Sequence, residues 1–577
     1  MSYREFHFLE PVPDLVVGID IGTSQSGFAV RTKKDGRIYM GSESSEFKQD
    51  KIPTSLLMEK DLKLKAFGYK AQRMYTEMLV AERDVHYYIE SFESFPYESQ
   101  QFCKKRLTLL DKERKVLNAY DVIKAVLKYL KDAAINVVER NYKFEIVISN
   151  IMWVLSVPLR TSDAVKLALS DAVSEIGILK DRLRIVSHEQ AAITFCRESS
   201  KFRLGGNMPS QGRAIFADAG GQHITLTACD VNAFCEIKEI ETVKIHGQGG
   251  NAVNKEIALF LKDIFGEQLW TAIKRNCPAS FYKILKGIEK MKQKTTSKVK
   301  RAYIGIVLDN DILGFLDESN FDLTMLNKSV QYRRNILYDE KQRVLYFHRR
   351  LVETFYVSSV SNILDGLNLL VSKHDSHDMK VFVVGGFMES LHVQTLLQTG
   401  LPNVDVFIPN NPWIFSMQGA AMMGYLGRGV EGRITRFSYG IPFAMPFNAE
   451  QHPKELKQVY DGDEWCGKTF LKLIERGETV KVGDTFTLKV FSTAIDPDLQ
   501  TSNIYTPLVI SRLRNPKYCT KEQGCSVLGR VRWVTPVGGW PKLWRGEMEL
   551  IVGDYEFTFS VINTTSGSVY TSKFEFC

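Results

Sequence analysis

The sequence predicts a two-part protein, in which a long α/β region with two similar halves is followed by a shorter all-β region. Three observations support this fold class. Apolar strand-like runs alternate with amphipathic helical runs over about the first 430 residues. A strand–glycine–strand pattern occurs twice there, about 200 residues apart. From Phe437 onward, apolar residues recur with the period of two that is typical of antiparallel strands.

The first glycine hairpin lies in the sequence VVGIDIGTSQSGFAV, residues 16–30. Gly22 allows a sharp turn, Thr23 and Ser24 add hydroxyl donors, and successive backbone amides form a concave site that favours an anion such as phosphate. Asp20 precedes the turn, and a carboxylate beside a phosphate favours an intervening hard cation such as Mg²⁺. An ordinary glycine-rich hairpin with a capping aspartate is the alternative for this stretch alone.

The same design occurs a second time after the predicted strand 214–216. Asp218 is followed by Gly220 and Gly221, and a further strand is predicted at residues 224–229. Two such hairpins indicate a duplicated fold that holds a phosphate between two lobes.

Two more glycine pairs stand at element ends. Gly249 and Gly250 open a predicted helix, whose N-terminus favours phosphate. Gly385 and Gly386 follow an apolar strand and again precede a helix. Four such pairs, two of them preceded by an aspartate, are not expected from turn chemistry alone.

The segment between the two hairpins shows the α/β alternation. An amphipathic helix begins at about Asp121, and a buried strand spans residues 151–157. A second helix is capped by residues 161–163 and ends at Gly177. This order favours an α/β core.

The C-terminal region reads as short strands separated by glycine turns, between about Thr479 and Val561. It predicts an antiparallel β-sandwich of about 140 residues. We therefore expect one domain at residues 1–430 and a second at residues 431–577.

Composition narrows the function classes. With 75 basic and 67 acidic residues in 577, the net charge of +8 is dispersed and gives no indication of a nucleic-acid partner. Nine cysteines occur singly, without a CxxC pair, which fits reduced thiols better than disulfides or zinc. No apolar run is long enough for a signal peptide or a membrane span. We expect a cytoplasmic protein.

Six segments resemble the ATPase domain of the 70-kDa heat-shock proteins and actin: GIDIGTS, VPLRTSDAVKLALSDA, SHEQAA, FADAGG, GGNAVNKE and VVGGFMES. VVGGFMES, together with YGIPFAMPFN near residue 440, is most similar to the divergent member-12 subfamily of these chaperones. The resemblance covers essentially the whole chain. It implies a two-lobed actin-like (ribonuclease H-like) ATPase domain that binds ATP or ADP with Mg²⁺, followed by an all-β sandwich that binds peptides or partners.

The resemblance also implies residue roles. Asp20 and Asp218 are expected to act in catalysis and to hold the Mg²⁺ shell. Glu289 and Lys292, at positions i and i+3 of a helix, are expected to flank the adenine, with a simple surface ion pair as the alternative. The residues expected to bind the nucleotide are Gly22, Thr23, Ser24, Gln25, Gly220, Gly221, Gly249, Gly250, Glu289, Lys292, Gly385, Gly386 and Phe387.

The sequence departs from the family pattern at positions that take part in ATP hydrolysis. In the second loop, Gln222 replaces a glycine, His223 a threonine and Thr225 an aspartate. His188 stands where the connecting motif has a glutamate, although Glu189 adjoins it. Because phosphoryl transfer depends on positioned charges and a positioned water, these changes predict slow hydrolysis with retained binding.

Three further departures concern the rest of the chain. The lysine that stabilises the leaving phosphate has no evident counterpart, and Pro96 falls near its expected position. Residues 428–438 are basic and polar, where the family has an acidic-leucine linker. The sequence stops at Cys577, directly after a strand, so a helical lid is not expected.

Two functions from different classes stay open. The first is a weak chaperone-type ATPase, active in a stress response, whose nucleotide state controls capture of unfolded or extended peptide segments. The second is a non-hydrolysing pseudo-ATPase that serves as a scaffold or sensor for a signalling partner. A sugar or acetate kinase of the same fold is disfavoured, because no segment clearly supplies its catalytic aspartate.

Overall fold

The structure is a computed structural model. It describes residues 13–33, 36–40, 50–78, 80–90, 107–141, 148–158, 161–198, 212–231, 237–295, 302–374, 379–425, 433–435, 437–460, 462–480, 483–492, 502–540, 544–553, 556–564 and 566–575. The chain divides into two compact units: Met1–Pro96, Lys104–Leu159 and Ala172–Arg428 form one, and Tyr97–Cys103, Arg160–Asp171 and Gly429–Cys577 form the other.

The described residues up to 198 form short strands and five helices. The strands are β1 (Leu15–Ile21), β2 (Gln25–Thr32), β3 (Ile38–Met40), β4 (Ile52–Pro53), β5 (Ser55–Met58), β6 (Leu64–Phe67), β7 (Tyr87–Glu90), β8 (Thr108–Leu110), β9 (Val116–Asn118), β10 (Ile151–Val157) and β11 (Leu183–Ser187). The helices are α1 (Gly68–Glu77), α2 (Val80–Asp84), α3 (Ala119–Asn141), α4 (Asp163–Glu175) and α5 (His188–Glu198).

The described residues from 212 to 425 add the second half of this α/β region. The strands are β12 (Gly212–Ala219), β13 (His223–Val231), β14 (Ile237–His246), β15 (Tyr303–Val307), β16 (Ile336–Asp339), β17 (Val344–His348), β18 (Lys380–Val384) and β19 (Asp405–Phe407). The helices are α6 (Gly250–Phe265), α7 (Glu267–Asn276), α8 (Pro278–Lys294), α9 (Asn310–Glu318), α10 (Met325–Lys328), α11 (Arg349–Thr354), α12 (Val357–Lys373), α13 (Leu391–Gly400) and α14 (Phe415–Tyr425).

Two sheets of the first unit share one strand arrangement. In the first sheet, with the order β11-β10-β1-β2-β3, β1 pairs antiparallel with β2 and parallel with β10. In the second sheet, with the order β14-β13-β12-β18-β19, β12 pairs antiparallel with β13 and parallel with β18. The duplicated hairpins predicted from the sequence are therefore present, each at the centre of its own sheet.

Burial explains why these strands form. Every residue of β1 and of β10 is buried, as expected for central strands that are covered on both faces. β10 has the bounds predicted for it and ends before Pro158, which cannot donate to a sheet. The helix predicted from Asp121 is α3, whose apolar residues face the core.

The C-terminal unit is built mainly of strands. They are β20 (Arg433–Ile434), β21 (Ser438–Pro446), β22 (Lys457–Tyr460), β23 (Asp463–Ile474), β24 (Thr479–Val480), β25 (Thr485–Ser492), β26 (Ile504–Ser511), β27 (Cys525–Trp533), β28 (Trp544–Val552), β29 (Glu556–Asn563) and β30 (Val569–Glu575). One antiparallel sheet has the order β22-β23-β21-β26-β27 and another β25-β28-β29-β30, and β20 pairs with β24. Tyr439 and Trp533 of the five-stranded sheet and Phe557 of the four-stranded sheet lie in one apolar core.

The chain is therefore mixed α/β with several sheets, and its architecture is consistent with the predicted actin-like fold. None of the helices in the described ranges is long and apolar enough to cross a membrane.

Candidate functional site

The first two glycine loops meet within the first unit. Residues 22–24 join β1 to β2, and residues 220–222 join β12 to β13. A Cβ atom added to Gly221 would lie 2.2 Å from Ser24 Oγ. Glycine at this position therefore lets the two loops approach each other closely.

The third glycine pair connects these loops to α6. The amide of Gly250 donates to the carbonyl of Gly220 at 3.1 Å, and the amide of Asn251 donates to that of Gly221 at 2.7 Å. The Asn251 Nδ2 also donates to Ser24 Oγ at 3.1 Å. Because the carbonyls of the second loop accept hydrogen bonds from these two amides, and Asn251 also contacts Ser24, the start of α6 holds the first and second glycine loops in fixed positions.

His188 lies between the two predicted carboxylates. Its Nδ1 is 3.1 Å from Asp218 Oδ2, and its Nε2 is 3.3 Å from Asp20 Oδ1, near enough for an ion pair although not aligned for a hydrogen bond. Asp20 and Asp218 are the penultimate residues of β1 and β12, while His188 begins α5 directly after β11. The histidine therefore links the ends of the two central strands.

Lys51 provides a second cation at Asp20. Its Nζ donates to Asp20 Oδ2 at 2.5 Å and to Ser416 Oγ at 3.2 Å, and Ser416 Oγ donates to the same carboxylate oxygen at 2.6 Å. Ser156 Oγ lies 3.3 Å from the other oxygen, Oδ1. The Asp20 and Lys51 side chains are only 4% and 11% exposed, so this ion pair is shielded from water.

The position of Lys51 is set by the residues that follow it. Strand β4 pairs with the start of β2, and the Thr54 amide donates to the carbonyl of Ser24 at 2.9 Å. Thr54 Oγ1 donates to the carbonyl of Gly22 at 2.8 Å. Lys51 is therefore held against the first glycine loop by backbone pairing on its C-terminal side.

The buried charges shift one another's proton affinities. Burial alone disfavours the charged form of His188, but the neighbouring Asp20 and Asp218 carboxylates outweigh it and raise the pKa of His188 to about 10. Burial likewise disfavours ionised Asp20, yet the charges of Lys51 and His188 hold the pKa of Asp20 well below its usual range. His188 is thus an imidazolium at neutral pH, with a proton on each ring nitrogen.

Glu189 is a buried carboxyl beside this cluster. Burial raises its pKa to about 7, and the positive charge of His188 opposes that rise only in part. Within the described residues its Oε2 has no hydrogen-bond partner, and neither do the buried Oε1 of Gln222 in the second loop and Oδ1 of Asn254 in α6. Buried polar atoms without partners are uncommon, so these three are places where a bound ligand or water would complete the hydrogen bonding.

Glu289 and Lys292 stand on α8 as a partly buried pair. Lys292 Nζ donates to Glu289 Oε2 at 2.7 Å and to the carbonyl of Gly250 at 3.2 Å. Asn254 Nδ2 donates to the same Glu289 oxygen at 2.6 Å. The Lys292 side chain is 10% exposed, so the pair ties α8 to the start of α6 and is not a simple surface ion pair.

The fourth glycine pair follows β18. Gly385 has φ +105°, and a Cβ atom there would lie 2.4 Å from the carbonyl oxygen of Ala219 and 2.6 Å from Asp218 Oδ1. Gly386 is exposed, and a Cβ atom on it would meet nothing within 4 Å. Phe387 is buried, and its ring is parallel to that of Tyr356, with 6.3 Å between the centroids. The pair thus combines a position with no space for a side chain and one that is open.

The predicted Mg²⁺ does not fit beside Asp20 in this arrangement. Asp20 already contacts Lys51, Ser416, Ser156 and His188, which together use both of its oxygens. Across the part of the chain that the structure describes, no group of three or more His, Cys, Asp or Glu side chains is arranged to hold a metal ion.

The structure brings together residues that are far apart in sequence. Loop residues 22–25, 220–221 and 249–250 surround one region, and Asp20 and Asp218 approach each other through His188. Lys292 approaches Gly250, whose own Cβ position is 3.2 Å from the Phe387 ring. Pro96 and most of the predicted linker, residues 428–432 and 436, lie outside the described ranges.

Sequence reasoning missed Lys51, Ser416, Asn251 and Asn254. Lys51 and Ser416 are 31 and 396 residues from Asp20 and belong to no motif that marks them. Asn251 could have been found, because it directly follows the glycine pair at the start of a predicted helix, where an amide side chain lies next to any anion site.

Comparison with known proteins extends over most of the chain. No protein-family profile matches it. The chain is 23% identical to human heat shock 70 kDa protein 12B over an alignment of 536 positions, which covers 82% of this chain and 77% of that protein. It is 23% identical to mouse heat shock 70 kDa protein 12A over an alignment of 624 positions, which covers 96% of this chain and 90% of that protein. For human heat shock 70 kDa protein 12A the identity is 22% over an alignment of 533 positions, which covers 82% of this chain and 78% of that protein.

Proposed function

Because this chain is a divergent relative of heat shock 70 kDa proteins 12A and 12B within the heat shock protein 70 family, we propose that it binds ATP or ADP between the first and second sheets. The observation that carries the proposal is the contact between the glycine loops. The loop at Gly22 and the loop at Gly221 come from different sheets and meet beside the start of α6. Glycine loops whose backbones approach one another in this way suit the phosphates of a nucleotide.

The adenosine would lie on the side of α8 and the fourth glycine pair. There the open space at Gly386 lets a base or ribose approach the backbone, and Glu289 is only partly buried. The partnerless oxygens of Gln222 and Asn254 are acceptors that a ribose hydroxyl or the adenine amino group can satisfy. These features support a nucleoside polyphosphate rather than free phosphate.

Hydrolysis is proposed to be slow or absent. An imidazolium carries a proton on both ring nitrogens and cannot accept another from water, so His188 in this form is not a general base. Glu189 is the remaining candidate, and its pKa of about 7 leaves it only partly ionised at neutral pH. If the protein is a weak ATPase, its turnover depends on Glu189. If it is a pseudo-ATPase, there is no turnover to lose when Glu189 is replaced.

Two measurements on the wild-type protein distinguish a weak ATPase from a pseudo-ATPase. Calorimetry with ATP and with ADP tests binding, and steady-state phosphate release with and without an unfolded peptide tests turnover. Absence of binding to either nucleotide would overturn the proposed function. A turnover rate equal to that of typical chaperones would contradict slow hydrolysis, and loss of residual turnover in Glu189→Gln would favour the weak ATPase over the scaffold.

The C-terminal sheets are proposed to form the β-sandwich predicted from the sequence and to bind an extended peptide segment or a signalling partner. Among the described strands, β22 and β30 stand at the ends of their sheets and carry exposed valines, Val459 and Val569, at 61% and 58%. An added strand can pair with such an edge. Fluorescence anisotropy of a labelled apolar peptide would test this, and no binding by the full chain would contradict it.

A stress-related role in the cytoplasm is part of the same proposal. Among the cysteines in the described ranges, Cys196, Cys277, Cys466, Cys519 and Cys525 are free thiols. Burial raises the pKa of Cys196 and of Cys519 to about 12, so both stay protonated and unreactive. Reduced, unreactive thiols are compatible with a reducing compartment.

A further inference from the structure

We propose that this cleft binds the phosphates of a nucleotide without a divalent cation, because Lys51 already pairs with Asp20 and His188 lies between Asp20 and Asp218, the carboxylates that would otherwise need one. The inference rests on the proposed nucleotide binding and deepens it. It makes Lys51 the phosphate-site cation, a role that the sequence motifs did not indicate.

The first step of the argument concerns Asp20. A carboxylate has about four lone-pair positions. Asp20 accepts hydrogen bonds from Lys51 and Ser416 on Oδ2 and from Ser156 on Oδ1, and His188 Nε2 lies 3.3 Å from Oδ1 at ion-pair distance. To bind Mg²⁺ directly or through its waters, Asp20 would have to give up at least one of these contacts. Its exposed fraction of 4% leaves no open side for an added ligand.

The second step concerns charge. Two carboxylates without cationic partners would repel a polyphosphate. In many proteins a hard cation between the carboxylates and the phosphates offsets this repulsion. Here the ammonium of Lys51 pairs with the Asp20 carboxylate at 2.5 Å, and the His188 ring lies between Asp20 and Asp218, with Nδ1 3.1 Å from Asp218 Oδ2. A phosphate that enters this cluster therefore meets an Asp20 carboxylate whose negative charge the lysine already offsets.

The third step concerns the position of Lys51. Its ammonium has three donors, and the contacts to Asp20 and Ser416 use two of them. Thr54, three residues later, is bonded to the carbonyls of Gly22 and Ser24 in the first glycine loop. A phosphate held by that loop would thus lie next to a lysine whose backbone is fixed to the same loop.

The decisive experiment compares ADP binding by the full wild-type chain in EDTA and in excess Mg²⁺, using isothermal titration calorimetry. We expect the two Kd values to agree within about threefold. A larger loss of affinity in EDTA overturns the inference and leaves the proposed function intact. Absence of binding under both conditions overturns the proposed function and the inference together.

A variant tests the role of Lys51 itself. Lys51→Met removes the ammonium and exposes the Asp20 carboxylate, so ADP affinity in EDTA is expected to fall by about tenfold or more and to recover in part with Mg²⁺. Lys262→Met, which breaks the exposed pair with Glu267, is the matched control and is expected to bind as the wild type does. Equal affinity of Lys51→Met and wild type in EDTA overturns the inference.

Removing one partner of a buried ion pair can also prevent folding. Circular dichroism therefore accompanies each titration. If Lys51→Met does not fold, the double variant Asp20→Asn with Lys51→Met removes both charges together, and Lys51→Arg keeps the cation. We expect Lys51→Arg to bind ADP in EDTA and the double variant to lose affinity by about tenfold. The reverse order of these two variants overturns the inference.

Discussion

Gly221 lies directly against Ser24, so that a Cβ atom on the glycine would be 2.2 Å from the serine Oγ and 3.5 Å from Asn251 Oδ1. The two residues belong to the turns of different sheets, and their contact brings the two glycine loops together. A side chain at Gly221 can be accommodated only if Ser24 or one of the loops moves.

Replacing Gly221 with alanine is therefore expected to weaken nucleotide binding by about tenfold or more, because loop separation of even about 1 Å loses hydrogen bonds to the phosphates. Calorimetry with ADP measures the change. Gly314→Ala is the control, since Gly314 lies within α9 and its Cβ atom would meet nothing within 4 Å. Equal ADP affinity of the two variants would show that the contact of the loops does not matter for binding.

The pair Gly385 and Gly386 predicts opposite effects from adjacent substitutions. Gly385→Ala places a side chain at φ +105° and against Ala219, so it is expected to lower the free energy of unfolding by about 1–3 kcal/mol. Gly386→Val fills open space and is expected to leave stability nearly unchanged while weakening ADP binding, because its side chain occupies the place where adenosine approaches the backbone.

Urea unfolding and calorimetry on the same two variants provide the measurement, and each variant controls the other. A stable Gly385→Ala variant would mean that the backbone can relax at this turn. Unchanged ADP affinity in Gly386→Val would contradict the proposed position of the adenosine.

Glu189→Gln is expected to stabilise the protein increasingly as pH rises above about 4.5. The pKa of Glu189 is raised from 4.5 to about 7 in the folded state, so its contribution is fully present below pH 4.5 and is lost as pH rises through about 7. Glutamine is neutral throughout, so the variant is expected to be more stable than wild type at about pH 8, by roughly 1–3 kcal/mol, and similar at about pH 4. Urea unfolding at both pH values measures the difference in the free energy of unfolding between variant and wild type. Glu340→Gln, at an exposed position, is the control and is expected to show no such pH dependence.

His188→Gln is expected to destabilise the protein most at low pH. The pKa of His188 is 6.5 in the unfolded chain and about 10 in the folded one, so its contribution is complete below pH 6.5 and is lost as pH rises through about 10. The difference in Tm between wild type and variant is expected to shrink steadily over that range. His86→Gln, whose partners are Lys65 and the Glu82 carbonyl, is the control. A difference that does not change with pH would show that His188 is neutral in the folded protein.

The sequence predicted the hairpins because they are local. A strand, an aspartate, a glycine turn and a second strand lie within about ten residues, and their chemistry dictates the turn. The bounds of β10 were predicted for the same reason, since Pro158 ends the strand. Contacts such as that of Lys51 with Asp20 depend on β4 pairing with β2 after an intervening segment, and no periodicity or turn signal encodes that register.

The role of His188 was also hidden from the sequence. Its position in the connecting motif could be read, and a structural role was the ordinary expectation for a single histidine beside a loop. Its charge depends on two carboxylates, Asp20 and Asp218, that are 168 and 30 residues away and meet it only in the folded chain. Long-range electrostatics of this kind require coordinates.

The link from Asp20 through His188 to Asp218 joins the centre of the first sheet to the centre of the second. Any rotation that parts the sheets at this point must break the His188–Asp218 hydrogen bond or the His188–Asp20 ion pair. A molecule whose release requires the sheets to part would leave only after such a break, so its residence time would include the waiting time for that opening. Exchange of one bound molecule for another would then proceed at a rate independent of the concentration of the incoming one.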